Sequence, residues 1–296
     1  MPRLRRSLLR ALPLLLLSLP ASAWNSAGHR LIAAIAWDQL DATTRSAVTR
    51  LLQEHPDYPR WCKKAEADDL PRAAFIEAST WPDDIRKDER FFTPGEEAST
   101  ATLPGFPDMQ RHRDWHYVNR PLENPGQKAA SGQLDRQLST QADIVASKVH
   151  TMAERGYALP WLIHLVGDAH QPLHAVDKSG NDLTVIDPFN PRKSITTLHA
   201  YWDDLPGPPW LRGARLDKAS KALVARYPKP GSSTPTQWLE ESWQIAKDKA
   251  YPPDAENVPT INETFFAETR KIAQRRIAEA GYRLADLLRK LSSTQK

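Results

Sequence analysis

The chain has one cysteine, Cys62, and so excludes an internal disulfide. A chain of 296 residues without a bridge must be held by its core or by metal, and it is long enough to bury a sizeable core. Cys62 lies in the polar stretch WCKKAEADD and reads as incidental rather than reactive. Internal repeats and low-complexity tracts are also missing. Beyond residue 23 no stretch is apolar enough to span a membrane. Excess charge of one sign is missing too, once the N-terminal segment is set apart. The whole chain holds 40 Lys and Arg against 36 Asp and Glu, with a sequence pI of about 9.1. Arg3, Arg5, Arg6 and Arg10 fall within residues 1–23, which carry no acid, so residues 24–296 are balanced at 36 of each sign. The high pI is therefore no polyanion footprint. Affinity for a polyanion would need a local source of positive charge, which bound metal would supply.

Residues 1–23 have the grammar of a secretory signal peptide: a basic start, a short leucine-rich run from Ala11 to Leu19, and the small-residue cleavage signal Ala21-Ser22-Ala23. A short membrane anchor is the alternative. Export to the periplasm or the medium is expected, leaving residues 24–296 as a domain beginning at Trp24 and free of the membrane. Apolar periodicity predicts an amphipathic helix over 30–52, a shorter one over 72–79, and long helices over 133–155, 159–170, 236–250 and 260–291. Residues 92–109 turn to Gly, Pro, Ser and Thr and read as a loop, and a proline-rich crossing follows Pro206. Two β-branched runs, LTVI and SITTL, flank the turn-rich DPFNPRK and predict a hairpin. The expected fold is all-α: a single mostly helical domain carrying one small β-hairpin.

Chemistry concentrates in five contexts among nine histidines. In WLIHLVGDAHQPLH, His164 and Asp168 stand four apart on one face of an apolar helix, and neither is cheap to bury unpaired. They could satisfy each other, bind a group outside the helix, or share a metal. Pro172 should end that helix and swing His174 around. A second pair of the same spacing, His199 and Asp203, follows the hairpin; one such pair is usually a solvated face, but two are harder to dismiss. His116, between aromatics in RDWHYVN, suits either a core position or a ligand. Asp83, Asp84 and Arg86 in STWPDDIR read equally well as a turn with capping carboxylates. Cleavage after Ala23 would free the Trp24 amine, a nitrogen ligand once deprotonated, with His29 close behind. His55, His112 and His150 lie in polar contexts and read as surface residues.

WNSAGH, TWPDDIR, WHYVN, HLVGDAHQPLH, SGNDL, LHAYWD and the tail AGYRLADLL together resemble the zinc-dependent single-strand nucleases of the S-one/P-one type, over essentially all of residues 24–290. The resemblance implies three zinc ions in one cleft. Asp83, His116, His164 and Asp168 would hold one. The amine and carbonyl of Trp24, with His29 and Asp168, would hold a second, and His174, His199 and Asp203 the third. Water activated between the paired ions would attack phosphorus, and the third ion would take the charge of the departing 3′-oxygen, leaving a 5′-phosphate. Arg86 and Asp83 would be the catalytic side chains, with Arg86 donating to the phosphate oxygens. Tyr117 would stack a nucleobase. Asn119 stands where some relatives carry aspartate against the base edge, so base preference would differ. His170, inside the motif, is not an expected ligand and reads as helix packing.

The implied activity is endonucleolytic cleavage of single-stranded RNA and DNA, with dephosphorylation of 3′-nucleotides, by a monomer. Zinc-dependent phospholipase C is similar in fold, N-terminal tryptophan and metal cluster. It usually has glutamate where Asp203 stands and lacks the Arg86 motif in this form, which favours the nuclease. A zinc-binding protein without catalysis would need the ligands but have no use for Arg86 or Tyr117.

Overall fold

The computed structural model describes residues 24–65, 68–97, 100–123, 129–177, 183–253 and 258–293. The N-terminal segment 1–23 and most of SGNDL lie outside the described residues. Eleven α-helices and one two-stranded sheet occur among those described.

The chain enters through α1 (Ser26–Gln39), α2 (Ala42–Gln53), α3 (Tyr58–Ala65), α4 (Leu70–Ala78) and the single turn α5 (Trp81–Asp84). The predicted helix over 30–52 is two helices. Leu40 is extended, and Asp41 accepts from Thr44 N at 2.8 Å, so a fresh N-cap outcompetes continuation. The same device divides the predicted 133–155 helix. α6 (Leu134–Ala146) stops, and Thr151 with Glu154 forms a capping box that starts α7 (Met152–Asp168) seven residues before the expected Leu159. Val149, assigned to the apolar face of that helix, is 94% exposed in the intervening turn.

The hairpin forms where predicted. β1 (Thr184–Ile186) pairs antiparallel with β2 (Ile195–Thr197), Val185 opposite Thr196. It leads directly into the seven-residue α8 (Leu198–Asp204). α9 (Gly213–Arg226), inside the supposed proline-rich crossing, is a helix the periodicity missed, because only Leu216, Ser220 and Leu223 turn inward. α10 (Pro235–Lys249) and α11 (Glu263–Ser293) complete the chain. Every residue of α7 from Arg155 to Asp168 is buried, with α1, α2, α6 and α11 packed around it. That burial places the C-terminal turn of α7, with His164 and Asp168, at the centre of the molecule. No helix among the described residues is long and apolar enough to cross a membrane.

Candidate metal centre

The last two turns of α7 present His164 and Asp168 on one side. The Nδ1–H of His164 donates to the Ser79 carbonyl at 2.8 Å. That bond fixes the tautomer and leaves Nε2 with its lone pair facing inward, 3.3 Å from Asp168 Oδ2. His116 ends a 3₁₀ turn (Arg113–His116), and its Nδ1 lies 3.1 Å from the same Oδ2 and 3.0 Å from His164 Nε2. Asp83, on α5, brings Oδ1 to 4.0 Å from both imidazoles. The other carboxylate oxygen of Asp168 faces elsewhere: Oδ1 is 3.4 Å from His29 Nε2. His29 comes from α1 and lies flat on His164, ring centroids 3.8 Å apart. It fits there because residue 167 is glycine; a Cβ at that position would sit 2.8 Å from His29 Nδ1. Trp24 is fully buried against Gly28, just before His29.

A second cluster lies alongside. Past Pro172 a 3₁₀ turn (Pro172–His174) does swing His174 around, and its Nδ1–H donates to the His116 carbonyl at 2.5 Å. Its Nε2 then meets His199 Nε2 at 3.0 Å, and His199 Nε2 is 3.5 Å from Asp203 Oδ2. At 3.0 Å two imidazole nitrogens need a shared proton or a cation between them. Gln171 donates to Asp203 Oδ1 at 2.8 Å, holding that carboxylate so that its other oxygen faces the histidines.

The electrostatics point the same way. Burial, with Asp83 adding to it, pushes the Asp168 carboxyl well above the ordinary carboxylate range, and burial does the same to Asp203. His29 and His116 are pushed well below the ordinary histidine value, again chiefly by burial, and His164 is lowered. The interior therefore strips charge from both residue types and leaves a set of lone pairs. Several have no hydrogen-bond partner: both ring nitrogens of His29, Nε2 of His116, Oδ1 of Asp83 and Oδ1 of Asp168. Buried polar atoms are rarely left so, and each costs about 1–3 kcal/mol unless something binds it. Imidazole nitrogens with carboxylate oxygens are a zinc-type donor set. Three sets are close enough to hold an ion: His29, Asp83 and His164; His116, His164 and Asp168, which shares His164 with the first; and, separately, His174, His199 and Asp203.

Arg86 follows in a 3₁₀ turn (Ile85–Lys87), buried, its Nε 3.3 Å from Asp83 Oδ1. Tyr117 is half-buried beside His116. The segment bearing Tyr117 and Asn119 is tied to the second cluster, since Val118 N donates to the His174 carbonyl at 2.8 Å. Asn119 is buried, and one of its two amide hydrogens is already given to Ser131 Oγ at 2.8 Å, so the donating end expected at a base edge is partly engaged within the protein. Ser79 and Gln171 went unassigned in the sequence. Gln171 stands between His164 and His174 in HLVGDAHQPLH, and that place is the signal that could have found it.

The other histidines divide. His170 donates Nδ1–H to the Val166 carbonyl and takes a hydrogen bond from Arg283, as expected of a packing residue. His150 is exposed, 3.5 Å from Glu154. His55 is not a surface residue: it is 1% exposed within Trp61, Trp81, Phe106 and Tyr157, and burial lowers it to about 3. His112 is also no free surface group, being stacked on Trp115 at 3.7 Å and bonded to Asp108. Cys62 is half-buried against the core.

Comparison with known proteins finds endonucleases of similar sequence. Endonuclease 2 of Arabidopsis thaliana is 25% identical over 90% of this chain and 90% of its own length. Endonuclease 4 of the same plant is 26% identical over 99% and 97%, and endonuclease 5 is 24% identical over 93% and 92%. The family model described as S1/P1 Nuclease matches residues 24–293, which takes in every ligand-type side chain above. The chain belongs to the S1/P1 nuclease family.

Proposed function

We propose that this nuclease is an exported, zinc-dependent endonuclease that cleaves single-stranded RNA and DNA to 5′-phosphate products and removes phosphate from 3′-nucleotides. The observation that carries the reading is Asp168, whose two oxygens face two different histidine groups, the arrangement required of a carboxylate shared between neighbouring ions. Asp83, His116, His164 and Asp168 would hold one zinc, the freed Trp24 terminus with His29 and Asp168 a second, and His174, His199 and Asp203 a third. Zinc in such a set makes water a nucleophile at neutral pH and offsets negative charge on phosphate oxygens.

The protein's own groups supply the rest. Ser79 and Gln171 hold His164 and Asp203 with their ligand atoms inward, so little reorganisation is needed on binding. Arg86, steadied by Asp83, donates to the non-bridging oxygens as charge builds in the transition state. Tyr117 gives a face on which any base can stack, and a base held in a duplex cannot reach it while its phosphate is in the cleft. Residues 24–296 carry no net charge, so attraction for the substrate comes from the metal centre. The N-terminal segment directs export, and its removal at Ala23 frees the Trp24 amine. The processed chain works as a monomer, away from the membrane.

The test is hydrolysis of single-stranded RNA, single-stranded DNA and duplex DNA by the processed protein, with and without chelator, reading the product ends. Chelator-sensitive cleavage of the single strands to 5′-phosphates is expected. Equal cleavage of the duplex, or 3′-phosphate products, would overturn the reading.

A further inference from the structure

The two histidine clusters stand on different elements. Besides the His174–His116 hydrogen bond, one amide side chain links α1, which carries His29, to the end of α8, which carries His199 and Asp203. Asn25 caps α1: its Oδ1 accepts from Ala27 N at 3.0 Å and Gly28 N at 3.3 Å. The other end of the same amide, Nδ2, donates to Asp204 Oδ1 at 3.0 Å and to the Gly207 carbonyl at 2.8 Å, at the end of α8. Its backbone N–H donates to the Asp203 carbonyl at 3.1 Å. Residue 25 stands next to Trp24 and one turn before His29, while α8 carries His199 and Asp203. Both acceptor sites and both donor hydrogens of the amide are used. Packing leaves little slack there, since a Cβ on Gly28 would meet Trp24 at 2.7 Å and Pro206 at 3.1 Å.

We propose that Asn25 is a positioning residue that sets the Trp24–His29 ligands against the His199–Asp203 ligands, so that metal held by one cluster favours metal in the other. This rests on the metal-dependent reading above. The helix start requires an acceptor, and the end of α8 requires a donor; among small side chains only asparagine offers both in one plane. Aspartate caps a helix equally well, but it would set a carboxylate against Asp204 and the Gly207 carbonyl. Asn25→Asp therefore separates capping from coupling.

The experiment is a cycle of Asn25→Asp, Asp204→Asn and the double variant, expressed from the full sequence. It reads zinc per chain, zinc affinity by chelator competition, the melting temperature of the metal-free protein, and kcat and KM on single-stranded DNA. In Asn25→Asp the metal-free protein should melt a few degrees below wild type, because the cap survives while the two hydrogen bonds to Asp204 and Gly207 are lost. Zinc affinity should fall by about 10-fold, the low end of what losing a hydrogen bond to a ligand costs, because the amide acts on Asp204 beside the ligand Asp203; kcat should fall with KM little changed. The double variant, in which the new carboxylate accepts from the new amide at position 204, should recover much of the zinc affinity. Unchanged zinc affinity in Asn25→Asp, or no recovery in the double variant, overturns the proposal. Should Asn25→Asp melt far below wild type, Asn25→Ser, which keeps a capping oxygen without the opposed charge, takes its place with the same expectation for zinc. Wild-type protein that binds zinc but cuts no nucleic acid would refute the nuclease reading while leaving the zinc cycle decisive for Asn25.

Discussion

Gly167→Ala pits a general gain against a local clash. In a helix interior, alanine is worth about 1 kcal/mol over glycine, and at most helical positions the change would raise stability. At 167 the added Cβ would lie 2.8 Å from His29 Nδ1, 3.0 Å from His29 Cε1 and 3.2 Å from Ile32 Cδ1. Ordinary carbon contacts begin near ~3.5 Å, so the imidazole must retreat by roughly 0.5–1 Å. It has nowhere to go, being buried and stacked on His164 at 3.8 Å. Overpacking of this kind costs about 1–3 kcal/mol, so helix gain and clash leave the metal-free protein between unchanged and about 2 kcal/mol less stable, a drop of at most a few degrees in melting temperature. The larger effect falls on metal, because the retreat moves Nε2 away from Asp168 Oδ1. Zinc affinity should fall by about 10–100-fold. The assay is zinc per chain after dialysis against graded chelator, with melting curves for metal-free and loaded protein. A variant that melts several degrees higher and holds zinc as wild type does would refute the reasoning, since His29 would then have had room all along.

Chelation should abolish cleavage and lower the melting temperature, with zinc restoring both; free zinc at 1,000 times its Kd contributes about 4 kcal/mol to the folded state, and a melting temperature indifferent to zinc would refute metal binding. Arg86→Ala should keep its zinc and lose about 100-fold or more in kcat, the usual effect of deleting one donor to a developing oxyanion; normal cleavage would remove Arg86 from the mechanism, and equal absence of activity in wild type and variant would favour a zinc-binding protein without catalysis. His55 supplies the pH prediction. Burial lowers it from 6.5 to about 3, so the unfolded chain binds a proton that the folded one refuses across that window. Its contribution to stability is whole above about pH 6.5 and declines as pH falls toward 3, by up to about 1.4 kcal/mol per pH unit. Urea unfolding of metal-free protein at pH 6.5 and 5 gives a slope to which the other buried histidines also contribute, and His55→Asn should reduce it by up to that amount; identical slopes in variant and wild type would mean that His55 is protonated within the fold.

Part of the candidate site was legible because two of its pairs announce themselves locally, whereas the grouping of Asp83, His116, His29 and Trp24 with them came only from the family resemblance. His164 with Asp168, and His199 with Asp203, are polar residues at helical spacing in apolar surroundings, and Pro172 marks where His174 must turn. What was hidden depends on chain segments far apart. His55 reads as polar in HPDYPRW, yet Phe106 and Tyr157, some 50 and 100 residues on, help close over it. The tautomer of His164 is set by a backbone carbonyl at Ser79, which no side-chain pattern can reveal. The helix breaks at Asp41 and Thr151 carried visible capping signals; across the first, apolar residues kept period because both helices face one core, and across the second Val149 and Met152 kept period by chance, both being exposed. α9 escaped for the opposite reason, its inward stripe being too narrow to register.

The cost of the site and its use have one origin. Residues between 29 and 203 meet from four helices and two 3₁₀ turns, and nearly all are buried where charge is poorly tolerated. Empty, such a cluster is a collection of desolvated acceptors that opposes folding. A cation turns the same desolvation to advantage, because low surrounding polarity leaves its field undiluted both for the ligands that hold it and for a phosphate brought to it. Residues 24–296, with one cysteine and balanced charge, have neither a disulfide to tie these segments together nor a net positive charge to attract a polyanion. On the proposed reading both tasks fall to the same ions. Gly167 and Asn25 then matter beyond their size, because they fix how closely the segments approach before any metal arrives.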